Sequence, residues 1–146
     1  ISAFARMHLW RHGLNYGHGT GHGVGSFLNV HEGPQGISPA LTGRGAVSLE
    51  VGMLTSNEPG FYLEGKYGIR IENLILTVPS EIGPSFLEFE TVTLFPIDQA
   101  LIEVNQLDAG EKQWLNEYHA TVLNRLKPHL DSAELGWLEK KCAPLK

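Results

Sequence analysis

The sequence predicts an α+β fold in which antiparallel strands precede a pair of C-terminal helices. Three observations indicate this class. Apolar and polar residues alternate over residues 67–78 and 86–95, which is typical of β-strands with two unlike faces. Short connections rich in turn residues join these segments, so the strands are expected to pair antiparallel. From residue 108 onward apolar residues recur about every fourth position, which is typical of helices.

The N-terminal segment predicts a helix followed by a glycine-rich stretch. Apolar residues between Phe4 and Trp10 favour a helix over residues 2–12, and Gly13 is placed to end it. In residues 17–25 every second residue is glycine, with histidine, threonine and valine between. Because flexible linkers lack such an interleaved series, we interpret this stretch as one where the backbone closely approaches a ligand or another strand.

The middle of the chain carries the strand signals. Along the alternation Arg70 and Glu72 share one face with Leu74 and Leu76. A carboxylate on an apolar face must be paired, so Glu72 is expected either to bind a metal or to form an ion pair with Arg70. The segments with strand signals are residues 27–30, 48–57, 67–78 and 86–95.

The C-terminal part predicts two capped helices. Asp108 followed by Glu111 forms a capping-box pattern before an apolar series that Pro128 ends. Asp131 followed by Glu134 repeats the cap before a shorter helix. The aromatic residues of these helices are expected to belong to their core, and the segment to be structural.

Length and composition exclude several classes of protein. The chain has 146 residues and a net charge of −5, which disfavours nucleic-acid binding. No apolar run approaches the roughly 20 residues of a membrane span. The single cysteine, Cys142, allows neither an internal disulfide nor a cysteine cluster, which fits a reducing compartment. Ile1 stands where an initiator methionine would be, so we expect upstream residues to be missing.

Histidine and glutamate provide the candidate metal ligands. Five of the seven histidines lie in residues 1–31, which contain no acidic residue. On an extended strand His18 and His22 would lie about 13 Å apart, so at most one of them binds a given ion. Mixed imidazole and carboxylate ligation suits manganese, iron, cobalt or zinc, and a carboxylate-rich site indicates paired ions. The candidates are His12, His18, His22, His31, Glu32, Glu58 and Glu72.

Four ordered motifs resemble one enzyme family. They are HGTGHGVG at 18–25, NVHEGP at 29–34, NEPGFY at 57–62 and YGIRIEN at 67–73. Together they are similar to the C-terminal half of the catalytic domain in pita-bread metallopeptidases, specifically the Xaa-Pro aminopeptidases (aminopeptidase P). The resemblance implies a curved antiparallel sheet with flanking helices. It also implies that residues 1–98 are the C-terminal half of the catalytic domain and that residues 99–146 are a helical extension.

The resemblance further implies a metal centre with two divalent ions. His22 and Glu58 would bind one ion, and Glu72 would bridge both. The expected metal is Mn²⁺, with Zn²⁺ or Co²⁺ as alternatives, and a hydroxide between the ions would attack the peptide bond. That family's site has five protein ligands, two of them aspartates upstream of the first histidine motif.

The remaining implied roles concern substrate and assembly. His18 and His31 would contact substrate and stabilise the tetrahedral intermediate, Glu58 would carry the proton, and Arg70 would hold the hydrogen-bond network. The substrates would be peptides with proline at the second position. The full-length enzyme is expected to be a cytoplasmic homodimer.

The chain departs from the family pattern at its beginning. No acidic residue precedes Glu32, so the chain carries three of the five ligands and is expected to be inactive without the missing N-terminal half. Two alternatives remain. A non-catalytic pita-bread scaffold that binds proteins would not need His22, Glu58 and Glu72 together, and a prolidase would cleave dipeptides.

Overall fold

A computed structural model describes residues 1–27 and 29–146. The chain divides into two compact units, Ile1–Thr93 and Leu94–Lys146, and the boundary expected after residue 98 falls inside the second. The helices are α1 (Ser2–Trp10), α2 (Ala109–Leu126) and α3 (Ser132–Lys141). The strands are β1 (Gly21–His22), β2 (Gly36–Ile37), β3 (Leu54–Asn57), β4 (Gly60–Leu63), β5 (Tyr67–Arg70), β6 (Asn73–Pro79) and β7 (Leu87–Thr91).

Helix α1 ends at the predicted glycine. The Gly13 N–H donates to the carbonyl of Trp10 at 3.0 Å, and the Leu14 N–H donates to the carbonyl of Leu9 at 3.0 Å. Gly13 has φ +69°, which a glycine adopts without strain. This pair of bonds is a Schellman motif in which Gly13 is the residue after the cap. The α-helical residues themselves end at Trp10, slightly before the predicted end.

The buried side of α1 differs from the apolar side. Phe4 and Trp10 are 73% and 49% exposed, whereas Arg6 is only 3% exposed. Most of the apolar residues that predicted the helix are therefore exposed, Leu9 is half-buried, and an arginine occupies the buried side of α1.

The described strands pair antiparallel in three small open sheets. They are β1 with β2, β4 with β5, and a sheet in which β6 lies between β3 and β7. An isolated bridge between Gly23 and Thr55 links the first sheet to the third. The predicted α+β class and antiparallel pairing are confirmed.

The strand predicted over residues 67–78 is broken. Strand β5 pairs with β4, whereas β6 pairs with β3, and the register places Gly60 opposite Arg70 and Asn57 opposite Asn73. The pairing is therefore interrupted on both sides at the same place: residues 58–59 separate β3 from β4, and residues 71–72 separate β5 from β6. Pro59 has no N–H to donate to a ladder, which favours the break at this point. Glu72 accordingly lies exposed in the link between strands, and its predicted place on an apolar strand face is wrong.

Other strand predictions hold only in part. Residues 27, 29 and 30 are not in a strand, and Leu28 lies outside the described residues. In the segment 48–57 only β3 forms, after a turn in which Gly52 has φ +90°. Within β7, Glu88 and Glu90 are exposed as expected.

The second unit confirms both predicted helix caps. The Asp108 side chain accepts the Glu111 N–H at 2.8 Å, and the Glu111 side chain accepts the Asp108 N–H at 2.9 Å. Asp131 and Glu134 exchange the same pair of bonds at 2.9 and 3.0 Å. Each reciprocal pair satisfies backbone donors that a helix start leaves free.

Helices α2 and α3 enclose a small apolar core. Trp114 and Trp137 were expected inside it, but they are 51% and 48% exposed. Within the described residues, no helix combines the length and the apolar character that crossing a bilayer requires. The buried members of the core are Leu115, Tyr118, Val122, Leu138 and Cys142.

Candidate metal centre

His22 in β1 and Glu58, the residue that directly follows β3, meet where these two strands approach each other. Nε2 of His22 lies 2.9 Å from Oε1 of Glu58. The other ring nitrogen, Nδ1, lies 3.0 Å from the Gly23 carbonyl oxygen. Because a carbonyl only accepts, Nδ1 must carry a proton, and Nε2 then directs its lone pair at the carboxylate unless the ring is cationic.

This pair fits a divalent cation. Two lone pairs at 2.9 Å need a positive charge between or beside them, either a proton on His22 or an ion bound by both residues. Imidazole nitrogen and carboxylate oxygen each bind zinc-like ions at about 2.1 Å, and two such ligands at a right angle lie about 3.0 Å apart. The hydrogen bond from Nδ1 to a backbone carbonyl is the usual way a protein orients a metal-binding histidine.

Three side chains orient the Glu58 carboxylate. Besides His22, the Ser56 hydroxyl donates to Oε1 at 3.1 Å, and Arg70 donates to Oε2 at 2.8 Å. Ser56 is fully buried and also accepts the His22 backbone N–H at 3.0 Å. Glu58 itself is 8% exposed. Its ionised form is therefore held in one orientation by charge-assisted hydrogen bonds.

Arg70 extends this network to a second histidine. Its Nε donates to the Tyr62 hydroxyl at 2.8 Å, and that hydroxyl lies 2.9 Å from Nε2 of His18. Nδ1 of His18 faces the Gly19 carbonyl at 2.7 Å, so Nε2 is the acceptor and Tyr62 donates to it. The bond to Tyr62 is the main cause that raises the pKa of Arg70 above its usual value, and the nearby charge of Glu58 adds to it.

His31 also joins the group. Its ring centroid lies 4.2 Å from that of His22, at an interplanar angle of 44°. Its backbone carbonyl accepts a hydrogen bond from Arg44 at 3.0 Å, which helps hold the segment in place. The structure thus brings His18, His22, His31, Glu58 and Arg70 into one region of the N-terminal unit.

Glu72 lies outside the closely packed group. It is exposed, and its charge is one of those that raise the pKa of Arg70. Among the described residues there is no cluster of three or more histidine, cysteine, aspartate or glutamate side chains that could hold an ion. His22 and Glu58 therefore supply two converging ligands, and a complete coordination shell needs more than these two.

Sequence reasoning assigned no role to Tyr62 or Ser56. Tyr62 lies over two glycines, because a Cβ on either Gly60 or Gly68 would overlap its ring. The hairpin register was the available signal: with Gly60 opposite Arg70, Tyr62 is the diagonal neighbour of the arginine. The sequence offered no comparable signal for Ser56. Its contact with His22 depends on the approach of β1 to β3, which a serine two residues before a glutamate does not reveal.

Comparison of the sequence with known protein families gives a clear result. The sequence profile described as metallopeptidase family M24 matches residues 1–79. The chain belongs to metallopeptidase family M24. A second profile, the C-terminal region of peptidase M24, matches residues 85–145.

Individual M24 relatives agree over the whole chain. A probable Xaa-Pro aminopeptidase P of Laccaria bicolor is 49% identical over 99% of this chain and 24% of its own length. One from Talaromyces marneffei is also 49% identical, over 100% of this chain and 23% of its own length. The chain thus spans about a quarter of the curated relatives it matches.

A solved structure has the same fold. The X-prolyl aminopeptidase of Caenorhabditis elegans, a cytosolic enzyme with a di-nuclear active site, superimposes with a TM-score of 0.87. It is 43% identical, and the match covers 98% of this chain and 24% of that one. The predicted pita-bread fold and the resemblance to Xaa-Pro aminopeptidases are confirmed.

Proposed function

We propose that the full-length protein hydrolyses the peptide bond between an N-terminal residue and a following proline. The observation that carries this proposal is the hydrogen-bonded series from His22 through Glu58, Arg70 and Tyr62 to His18. It joins a candidate metal-ligand pair without interruption to His18, a histidine expected to contact substrate. The M24 relatives named as Xaa-Pro aminopeptidases support the choice of substrate class.

In this proposal His22, Glu58 and Glu72 are three of five metal ligands. The other two would come from the part of the protein upstream of Ile1. When bound, two divalent ions, expected to be Mn²⁺, would lower the pKa of a water and polarise the scissile carbonyl. Residues 1–98 then act as the C-terminal half of the catalytic domain, and residues 99–146 as its helical extension.

In this proposal one residue of the chain transfers the proton, and others orient it or stabilise the intermediate. Glu58 accepts the proton of the attacking water and returns it to the leaving proline nitrogen. Arg70 holds that carboxylate in one orientation through its 2.8 Å bond. Both ring nitrogens of His18 are hydrogen-bonded, one of them to the Tyr62 hydroxyl, so His18 holds Tyr62 in place. His31 is then the histidine that donates to the developing oxyanion.

The proposal is tested by comparing the full-length protein with residues 1–146 alone. We expect the full-length protein with Mn²⁺ to cleave a Xaa-Pro-Xaa tripeptide but not its Xaa-Ala counterpart, and the isolated chain to have no activity. Glu58→Gln should lower kcat/KM at least about 100-fold, because the ligand charge and the proton acceptor are lost together. Glu88→Gln, an exposed carboxylate on β7, is the control.

Three outcomes would contradict the proposal. A full-length protein that binds Mn²⁺ but cleaves no peptide would favour the protein-binding scaffold. Activity restricted to Xaa-Pro dipeptides would identify a prolidase. Turnover by the isolated chain near that of the full-length protein would refute the assignment of two ligands to the missing part. Homodimerisation and cytosolic location belong to the same proposal, and light scattering of the full-length protein tests the first.

A further inference from the structure

Arg6 is a buried arginine on the inner side of α1. It is 3% exposed, and within the described part of the chain no carboxylate lies at ion-pair distance from it. Its guanidinium donates to Oγ of Ser2 at 3.2 Å, to Oδ1 of Asn15 at 2.7 Å and to the carbonyl of Tyr16 at 2.7 Å. It also donates to the carbonyl of His18.

A buried cation without a counter-charge is unusual. Moving a guanidinium out of water costs several kcal/mol, and hydrogen bonds to neutral acceptors offset this only if they are well aligned. Each neutral acceptor of Arg6 is therefore held in a definite place relative to the guanidinium. Two of them are backbone carbonyls at the start of the glycine-rich segment, which otherwise has few side chains to fix it.

Tyr16 connects Arg6 to His18 and Thr20. The Arg6 guanidinium lies over its ring, 3.9 Å from the centroid, and the His18 ring lies 4.9 Å away. Its hydroxyl shares a 2.6 Å hydrogen bond with Oγ1 of Thr20. Tyr16 is 4% exposed and Thr20 is fully buried, so water cannot replace this bond.

Thr20 connects directly to the candidate metal ligand. Its carbonyl accepts the backbone N–H of Glu58 at 2.7 Å, and its own N–H donates to the Ile37 carbonyl at 2.7 Å. The contacts thus run without a gap from α1 through Arg6, Tyr16 and Thr20 to Glu58.

We propose that Arg6 and Tyr16, here called the Arg6–Tyr16 anchor, are positioning residues for the peptidase reaction. The anchor fixes His18 through its carbonyl and ring, and it fixes the Glu58 backbone through Thr20. It touches neither substrate nor metal. This inference rests on the proposed function, and it adds that α1 helps to set the geometry of the site.

The first test removes one hydroxyl in the full-length protein. Tyr16→Phe keeps the ring beneath the guanidinium and deletes only the bond to Thr20. We expect kcat for a Xaa-Pro peptide to fall about tenfold, with KM changing less than about twofold, because a displaced Glu58 acts in the transition state. Tyr67→Phe makes the same chemical change at an exposed tyrosine and should leave kcat unchanged.

Further variants separate positioning from folding. Thr20→Val removes the same hydrogen bond from its other side and should lower kcat about as much as Tyr16→Phe, whereas Thr20→Ser keeps a hydroxyl and should restore most of the activity. Arg6→Lys cannot reach its acceptors together, so it should lower kcat more than Tyr16→Phe does. Arg11→Lys, on an exposed part of the same helical segment, is its control.

Hydrogen exchange gives a readout independent of activity. In Tyr16→Phe the amides of residues 18–23 and of Glu58 should exchange about tenfold faster than in the wild type, and those of α2 should not change. A Tyr16→Phe enzyme with wild-type kcat would overturn the proposal. If the wild type cleaves no Xaa-Pro peptide, the proposed function fails, and the catalytic part of this proposal fails with it. Exchange then tests the contacts alone: faster exchange in Tyr16→Phe supports the link from Tyr16 to Glu58, and unchanged exchange overturns it.

Discussion

Ser56 joins the two candidate metal ligands through one buried hydroxyl, and its replacement by alanine gives a sharp test of the site. The hydroxyl accepts the His22 backbone N–H at 3.0 Å and donates to Oε1 of Glu58 at 3.1 Å. Ser56→Ala deletes both bonds and changes the side-chain volume little. His22 and Glu58 keep their own 2.9 Å contact, so the change loosens the pair without removing a ligand.

The size of the effect follows from burial. Ser56 is fully buried, so no water reaches the freed His22 N–H, and an unsatisfied buried donor costs about 1–3 kcal/mol. Removing a side chain that orients a metal ligand typically weakens metal binding about 10- to 100-fold. We therefore expect a modest loss of stability together with a large loss of Mn²⁺ affinity.

Ser80 provides a matched control. Its hydroxyl accepts the Ile82 N–H at 3.3 Å and donates to Oε2 of Glu88 at 2.8 Å, which repeats the bonds of Ser56 at a site with no metal ligand. Mn²⁺ binding by the full-length proteins is measured by isothermal titration calorimetry, and stability by thermal unfolding without metal. Both variants should lose stability, and only Ser56→Ala should lose affinity.

Two results would refute this reasoning. Wild-type Mn²⁺ affinity in Ser56→Ala would mean that the hydroxyl does not orient the ligand pair. Equal losses of affinity in Ser56→Ala and Ser80→Ala would mean that metal binding follows global stability, and that the local hydrogen bonds are irrelevant to it.

Three further predictions concern packing and pH. Gly21→Ala should abolish Mn²⁺ binding, because the added Cβ would overlap the backbone of β3, whereas Gly17→Ala meets nothing within 4 Å and should bind Mn²⁺ normally in the same titration. Leu138→Ala should destabilise the second unit by about 2–5 kcal/mol in urea unfolding, because it leaves a cavity in the core. Leu101→Ala, at a side chain 83% exposed, should cost almost nothing. Burial lowers the pKa of His119 below its ordinary value near 6.5. The neutral ring therefore contributes stability above pH 6.5, and this contribution is lost as the pH falls through the lowered pKa. If His119→Gln loses thermal stability with falling pH as the wild type does, the prediction is contradicted.

Local signals predicted the elements that depend on neighbouring residues. The end of α1 at Gly13 and both capping boxes required only residues three to five positions apart. Helix caps follow from such short spacings because the free N–H and carbonyl groups of a helix end are satisfied within one turn. The prediction of one continuous strand over residues 67–78 was wrong because the break depends on distant residues. The alternation does not show that the first half pairs with β4 and the second half with β3.

The sequence predicted which residues belong to the candidate site, but it did not predict all the hydrogen bonds that hold them. The resemblance assigned His22 and Glu58 to one ion, and the structure places them 2.9 Å apart. The hydrogen bonds that hold the pair come from Ser56 and Arg70, and the former was not foreseen. Glu72 was expected on an apolar face and is exposed beside the break between β5 and β6.

The sequence by itself determined the fold class, the helix caps and the chemical types of the site, because propensity, capping and donor chemistry are properties of residues and short segments. Only the tertiary structure decided that Arg6 is buried on the inner side of α1 while Phe4 and Trp10 are exposed. It also decided that Tyr62 bridges Arg70 and His18. Those contacts join residues 8 to 44 positions apart, and strand register and close backbone approach place them. No local pattern encodes such distances, since they arise only when the whole unit packs.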